Sequence, residues 1–183
     1  MDFIKMIIFI LGGARSGKSE FALKLAESLN AKNFYYIATA QALDEEMKER
    51  IKKHKEKRNK KWQTVEEPFK IEEVLKKLNR PGNVILIDCL TLWITNLMMF
   101  EKDLKKEFEK FLMILKKYKG KKDVWLICIS NEVGLGVIPE TKTGRKFRDI
   151  TGEFHQKLAQ ISDENYFIIA GCPIKLTSFF YNI

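Results

Sequence analysis

Short, almost continuous apolar runs alternate along the chain with segments whose apolar residues recur every three or four positions. The periodic segments predict amphipathic helices after Lys18, between Asp103 and Tyr118, and between Thr143 and Ser162. The continuous runs predict strands covered on both faces, at Met6–Leu11, Phe34–Ala38, Val84–Ile87, Trp125–Ile129 and Tyr166–Ala170. This alternation predicts a single α/β domain over residues 1–183, with a mostly parallel sheet flanked by helices.

A glycine-rich segment follows the first predicted strand and precedes the first predicted helix. Its sequence, GGARSGKS, fits the phosphate-loop pattern G-x-x-x-x-G-K-[ST] in full. In such a loop the backbone amides surround a phosphate, the lysine reaches the β- and γ-phosphates, and the next hydroxyl can ligate Mg²⁺. The pattern predicts a P-loop NTPase (RecA-like) architecture and a nucleotide site with Mg²⁺ as cofactor, formed by Gly12, Gly13, Ala14, Arg15, Ser16, Gly17, Lys18 and Ser19.

Polar residues also follow two later predicted strands. Ligands of parallel α/β sheets lie beyond the carboxyl ends of the strands, so these positions are candidates for the site. Asp88 directly follows the strand ending at Ile87 and is expected to hold Mg²⁺ together with Ser19, the alternative role being a helix cap. Residues 130–132, Ser-Asn-Glu, take the equivalent position after the next strand and are weaker candidates.

The segment from Leu90 to Phe100 is apolar nearly all round. A helix of this kind is buried somewhere. The core of the domain is the first expectation, and a subunit interface or a surface that faces a substrate is the alternative.

The composition is that of a folded, strongly basic chain. Apolar residues make up 45% of the sequence and aromatic residues 11%, which excludes a disordered or low-complexity protein. The formal net charge of +9 is concentrated between Lys48 and Lys61, where nine Lys or Arg residues accompany two Glu. This basic segment is either a solvated helix face or a surface that attracts phosphates or nucleic acid. Nucleic acid is disfavoured, because base-stacking aromatic residues are missing from the segment until Trp62.

Cysteine and hydropathy patterns point to a cytoplasmic protein. The thiols of Cys89, Cys128 and Cys172 lie at or beside apolar runs and are predicted to be buried and reduced. The longest uncharged apolar stretch ends at Phe100 and is shorter than the roughly 20 residues that span a bilayer, so no integral membrane segment is expected. The apolar start of the chain is interpreted as the first strand rather than a signal sequence, with Met6 as an alternative start to Met1.

The sequence contains two histidines. His155 lies beside the apolar stripe of the last predicted helix, and a structural role is expected. His54 lies within the basic segment, where surrounding cations disfavour the imidazolium and favour a neutral ring. A neutral imidazole among cations is a fair nucleophile for phosphorus, although spacing alone favours an exposed helix histidine.

Several short motifs follow one another in a specific order, and several of them are weak singly. They are GGARSGKS at 12–19, YIATA at 36–40, RIKKH at 50–54 with Arg58, Trp62, Thr64 and Glu66 beyond it, DCLTLWITNL at 88–97, SNEVGLGVIPE at 130–140, FRDITG at 147–152 and AGCP at 170–173. In this order they resemble the bifunctional adenosylcobinamide kinase / adenosylcobinamide-phosphate guanylyltransferase family of cobalamin biosynthesis. The resemblance runs from about Met6 to Leu176.

The resemblance implies two reactions. The first phosphorylates the aminopropanol hydroxyl of the corrinoid adenosylcobinamide with GTP or ATP. The second transfers GMP from GTP to adenosylcobinamide phosphate, releases pyrophosphate, and passes through a GMP–histidine intermediate. His54 occupies the matching position, so the resemblance makes it the expected catalytic nucleophile.

The resemblance also implies a homotrimer, which favours the subunit interface over a corrinoid-facing surface as the alternative for Leu90–Phe100. Cations beside His54 are expected to neutralise charge on the phosphate, and the carboxylates of Glu66 and Asp88 suit either guanine or Mg²⁺. The further nucleotide-binding residues that the family implies are Ala38, Thr39, Ala40, Lys55, Glu56, Lys57, Arg58, Glu66 and Asp88.

Two other functions remain open from the sequence. One is a small-molecule kinase with the same phosphate loop and no covalent step. The other is a P-loop ATPase that binds nucleic acid through the basic segment.

Overall fold

The computed structural model describes residues 7–56 and 58–177, without the side chains of Arg50 and His54. The strands are β1 (Ile7–Gly12), β2 (Asn33–Ala38), β3 (Trp62–Glu66), β4 (Asn83–Asp88), β5 (Val124–Asn131), β6 (Glu164–Ile169) and β7 (Cys172–Leu176). The helices are α1 (Lys18–Ser28), α2 (Glu45–Glu56), α3 (Ile71–Leu78), α4 (Leu90–Met99), α5 (Leu104–Lys116) and α6 (Lys142–Ile161). The strands form one sheet in the order β3-β2-β4-β5-β1-β6-β7. All neighbouring strands pair in parallel except β6 and β7, so the predicted mostly parallel α/β sheet is confirmed.

Helices cover both faces of the sheet, which explains why the central strands are apolar at nearly every position. Val84, Ile85, Leu86 and Ile87 of β4 are fully buried. One face of the sheet packs against α3 to α6, and the other packs against α1. This arrangement brings the carboxyl ends of β1, β4 and β5 together at one end of the sheet. The polar candidate residues identified from the sequence follow these strand ends.

Most of α4 lies in the core of the domain. Trp93 is fully buried, and its ring centroid lies 5.3 Å from that of Phe111 and 5.8 Å from that of Phe154. Its indole Nε1 donates a hydrogen bond to the carbonyl oxygen of Phe69 at 2.7 Å. The first expectation for this helix is therefore confirmed, while Met99 and Phe100 at its end are exposed.

The two edge strands, β3 and β7, are not among the strands predicted from the sequence. An edge strand has no neighbour on one side and needs no continuous apolar run, so the apolar pattern does not reveal it. The prediction that Cys172 is buried is wrong, because it lies on β7 at the edge and is exposed. Cys89 and Cys128 are buried, as predicted.

Some predictions concern residues outside the described part of the chain. The alternative starts Met1 and Met6 lie there, as does the predicted nucleotide-binding residue Lys57. Across residues 7–56 and 58–177, no helix combines the length and apolar character needed to cross a membrane.

Candidate active site

The loop between β1 and α1 has backbone turns and close approaches that suit only glycine. Gly17 has a φ of +98°, and a Cβ there would lie 3.1 Å from the Cα of Gly171. A Cβ on Gly12 would lie 2.6 Å from the carbonyl oxygen of Ile168. Gly171, in the turn after β6, donates its N–H to the carbonyl oxygen of Ser16 at 2.8 Å. The turn between β6 and β7 therefore supports the phosphate loop.

Lys18, the first residue of α1, is only 7% exposed. Its Nζ donates a hydrogen bond to the carbonyl oxygen of Gly13 at 2.5 Å and lies 3.5 Å from Ser16 Oγ. Burial lowers the pKa of Lys18, and the nearby Cys89 and Asp88 oppose this lowering. An ammonium held by a carbonyl of the loop is placed to exchange that bond for a stronger one to a phosphate oxygen.

Asp88, the last residue of β4, accepts two hydrogen bonds on one oxygen, Oδ2. Ser19 Oγ donates at 2.8 Å, and the hydroxyl of Tyr36 donates at 2.7 Å. Burial, and then the Asp88 carboxylate, raise the pKa of Tyr36 well above its usual range, so the hydroxyl keeps its proton. The alternative role of Asp88 as a helix cap is wrong, because the cap of α4 is Cys89 and has no side-chain hydrogen bond.

The Ser19 hydroxyl and the Asp88 carboxylate fit a magnesium ion. Both are hard oxygen ligands of the kind that Mg²⁺ prefers, and they lie beside the phosphate loop. Among the described side chains, no group of three or more His, Cys, Asp or Glu could enclose a metal by itself. The pair therefore suits a cation that completes its coordination with phosphate and water oxygens.

A cavity of about 190 Å³ lies at the carboxyl ends of β2 and β3. An ion pair between Lys55 Nζ and Glu66 Oε1, 2.6 Å long, borders it. Thr39 does not line the cavity, because its buried hydroxyl donates to the carbonyl oxygen of Cys89 at 2.7 Å and accepts from the Cys89 N–H at 2.9 Å. Of the nucleotide-binding residues that the resemblance implies beyond the phosphate loop, four line this cavity: Ala38, Ala40, Lys55 and Glu66. The lining residues are Ala38, Ala40, Ala42, Ile51, Lys55 and Glu66.

The basic segment forms α2 and the turn after it. Glu56 and Lys55 line a wider cavity of about 550 Å³, and Lys55 also lines the smaller one. The guanidinium carbon of Arg58 lies 3.9 Å from the centroid of the Tyr36 ring. The segment therefore approaches both the smaller cavity and the residue that holds Asp88. His54 belongs to α2 by its backbone, but its side chain lies outside the described part.

A buried chain of hydrogen bonds connects α4, β5 and α6. Ser130 Oγ lies 2.9 Å from Thr91 Oγ1 and 2.7 Å from His155 Nε2, and Thr91 Oγ1 accepts from the Asn131 N–H at 2.6 Å. This placement agrees with the structural role predicted for His155. Ser130 also has a structural role here, because its hydroxyl connects Thr91 to His155. Sequence reasoning misses Thr91, because one threonine in an apolar helix carries no signal of its own.

Burial lowers the pKa of His155 to about 4, an effect that Glu132 partly opposes. The unfolded chain, with a histidine pKa near 6.5, then binds a proton between pH 6.5 and 4 that the folded protein does not bind, so stability falls as the pH falls through this window. We expect this histidine to remove about 2 kcal/mol from the free energy of unfolding between pH 7 and pH 5. In His155→Gln, which can still hydrogen-bond to Ser130, the free energy of unfolding measured with urea should fall by about 2 kcal/mol less between pH 7 and pH 5 than it does in the wild type. An identical pH dependence in the two proteins would contradict the assignment.

Comparison with known proteins identifies the family. The model of the cobinamide kinase / cobinamide phosphate guanyltransferase family matches residues 8–176. The bifunctional adenosylcobalamin biosynthesis protein CobP of Pseudomonas aeruginosa is 41% identical, covering 91% of this chain and 95% of that protein. Its counterpart CobU of Escherichia coli K12 is 32% identical, covering 93% of this chain and 99% of that protein.

A solved structure agrees on the fold alone. The ATPase EscN of the enteropathogenic E. coli type III secretion system is 13% identical, with a TM-score of 0.59, covering 91% of this chain and 43% of that chain. The predicted P-loop architecture is thereby confirmed, and the match over residues 8–176 confirms the resemblance. The chain belongs to the cobinamide kinase / cobinamide phosphate guanyltransferase family.

Proposed function

We propose that the chain catalyses two successive transfers at one nucleotide site. It phosphorylates adenosylcobinamide with GTP or ATP, and it then transfers GMP from GTP to adenosylcobinamide phosphate. Membership of the family supports this pair of reactions. The observation that carries the proposal is the contact of Ser19 with Asp88 beside a complete phosphate loop. Asp88 also pairs in register with Ala38, which lines the smaller cavity, so the phosphate and base sites adjoin.

In the kinase step, the hydroxyl oxygen of adenosylcobinamide attacks the γ-phosphorus of the nucleotide. The bond to the bridging oxygen breaks, the nucleoside diphosphate leaves with the electron pair, and the hydroxyl proton is released. Lys18 and the loop amides hold the phosphates and neutralise the charge that develops on them. The Mg²⁺ that Ser19 and Asp88 would hold supplies further charge neutralisation when bound.

In the guanylyl step, we assign the nucleophile to His54. A neutral ring nitrogen attacks the α-phosphorus of GTP, pyrophosphate leaves, and GMP remains on the ring. An oxygen of the acceptor phosphate then attacks the same phosphorus, and the ring nitrogen leaves with its electron pair. The covalent step divides one difficult transfer between two anions into two easier ones. Lys55, Lys57 and Arg58 are the neighbouring cations that would stabilise the charge on the phosphate.

The two carboxylates of the site take different roles in this proposal. Asp88 is assigned to the cation, because its contacts are with Ser19 and Tyr36 beside the loop. Glu66 is assigned to guanine, because it lines the cavity, and a carboxylate can accept both the N1–H and the N2–H of that base. Its ion pair with Lys55 is largely exposed, so replacing it with a base contact costs little.

Labelled GTP tests this function directly. With α-labelled GTP and Mg²⁺, we expect the protein to carry covalent label through a bond that is labile in acid and stable in alkali. With γ-labelled nucleotide, the label should pass to adenosylcobinamide. A monofunctional kinase would transfer the γ-label and never retain the α-label. Kinase activity without protein-bound α-label would therefore contradict the two-step proposal.

We further propose that the protein works as a homotrimer in the cytoplasm. Exposed apolar side chains support a protein interface, among them Leu135 and Val137 in the loop after β5 and Ile174 on β7. The buried free thiols of Cys89 and Cys128 suit a reducing compartment. A sedimentation experiment that gives the mass of a single chain at assay concentrations would contradict the trimer.

A further inference from the structure

Tyr36 lies on β2 between the basic segment and the phosphate loop. It is 4% exposed, and its hydroxyl donates to Asp88 Oδ2 at 2.7 Å. The guanidinium carbon of Arg58 lies over the Tyr36 ring, 3.9 Å from its centroid, and the ring of Trp62 meets the Tyr36 ring edge-on with the centroids 6.2 Å apart. Because the ring is held between these groups, the hydroxyl has one well-defined direction, and that direction points at Asp88.

The two donors on Asp88 come from separate elements of the fold. Ser19 reaches Oδ2 from the start of α1, and Tyr36 reaches the same oxygen from β2. A single hydrogen bond leaves a carboxylate free to turn about that contact, whereas donors from two separate elements fix its orientation. Within the described part of the chain, no hydrogen bond engages Oδ1, so this fixed carboxylate keeps one oxygen available.

We propose that Tyr36 is a positioning residue that orients Asp88 for the divalent cation accompanying the nucleotide. Tyr36 touches neither the phosphates nor the cation in this assignment and acts through Asp88. The proposal rests on the role given to Asp88 under the proposed function, but it is independent of whether His54 becomes guanylylated. It gives a function to the tyrosine of the YIATA motif, which was not among the candidate site residues.

The test uses Tyr36→Phe, which removes the hydroxyl and keeps the ring that contacts Arg58. A fluorescent GDP analogue is titrated at a series of Mg²⁺ concentrations and again in the presence of EDTA. We expect the Mg²⁺ concentration for half-maximal binding to rise about 10-fold, as is typical when a residue supporting a metal ligand is lost. Binding in EDTA should be unchanged, because the phosphate loop is untouched.

A kinetic measurement separates positioning from a general structural effect. In Tyr36→Phe the apparent KM for Mg²⁺ should rise, while kcat at saturating Mg²⁺ returns close to the wild-type value for both reactions. Tyr35→Phe is the matched control, because its side chain lies on the opposite face of β2, and it should keep the wild-type Mg²⁺ dependence. Thermal unfolding of each variant verifies that it is folded.

The outcomes are distinct. A wild-type Mg²⁺ dependence in Tyr36→Phe overturns the proposal, as does a loss of activity that saturating Mg²⁺ does not restore. If the wild-type protein retains no α-label but Tyr36→Phe still shows the shifted Mg²⁺ dependence, the guanylyl step fails and the positioning role stands.

Discussion

His54→Ala is expected to abolish covalent labelling of the protein by α-labelled GTP, with a loss of at least about 10³-fold in the rate of guanylyl transfer. The imidazole is the group that forms the bond to phosphorus in this assignment, and alanine offers no replacement nucleophile. Phosphorylation of adenosylcobinamide should continue, because the γ-phosphate is transferred directly to the substrate hydroxyl. The measurement compares protein-bound α-label with γ-label transferred to adenosylcobinamide in the same preparation.

The control is Lys53→Ala, which changes the adjacent exposed residue of the same helix. It removes one of the many positive charges of the basic segment and leaves the ring in place, so its labelling should stay close to that of the wild type. Labelling of His54→Ala at the wild-type level would show that another residue is the nucleophile. Loss of the kinase reaction together with labelling would show that His54 serves both steps.

The phosphate loop could be predicted from sequence because its chemistry depends on local backbone conformation. Gly17 needs its positive φ, Gly12 needs its close approach to β6, and Lys18 and Ser19 must begin the following helix. All of these requirements fall within eight consecutive residues, and the order of residue types records them directly. Asp88 could be predicted for a different reason, since the carboxyl ends of neighbouring parallel strands lie at the same end of the sheet.

The remaining contacts depend on residues that are distant in sequence. Tyr36 appears as an ordinary strand residue until the structure places its hydroxyl against Asp88 and its ring beneath Arg58. The pairing of Ser130 with Thr91 and His155 likewise joins three separate elements. Hydrophobic patterning reports which face of an element is buried but carries no information about which polar groups meet there, so these partners become visible only in the folded chain.

Lys18→Met is expected to weaken binding of a fluorescent GTP analogue by about 10²-fold or more and to reduce both reactions at least as much. The ammonium is nearly buried beside the loop, and losing one partner of a buried charged contact costs about 2–5 kcal/mol. The free energy of unfolding without nucleotide should not fall, because burial already disfavours the charged lysine, as its lowered pKa indicates. Gly13 lies on the exposed part of the loop, so water can replace the lost donor to its carbonyl oxygen.

The experiment is decisive because nucleotide affinity should fall while the free energy of unfolding does not. A residue that served only the fold would lose stability and affinity together, whereas a phosphate ligand loses affinity alone. Lys24→Met is the matched control on the same helix, because Lys24 is 75% exposed and pairs with Glu20 at the surface. It should bind the analogue like the wild type. Wild-type affinity in Lys18→Met would show that the triphosphate binds elsewhere, and it would remove the basis for both proposed reactions, since each begins with the phosphates held in this loop.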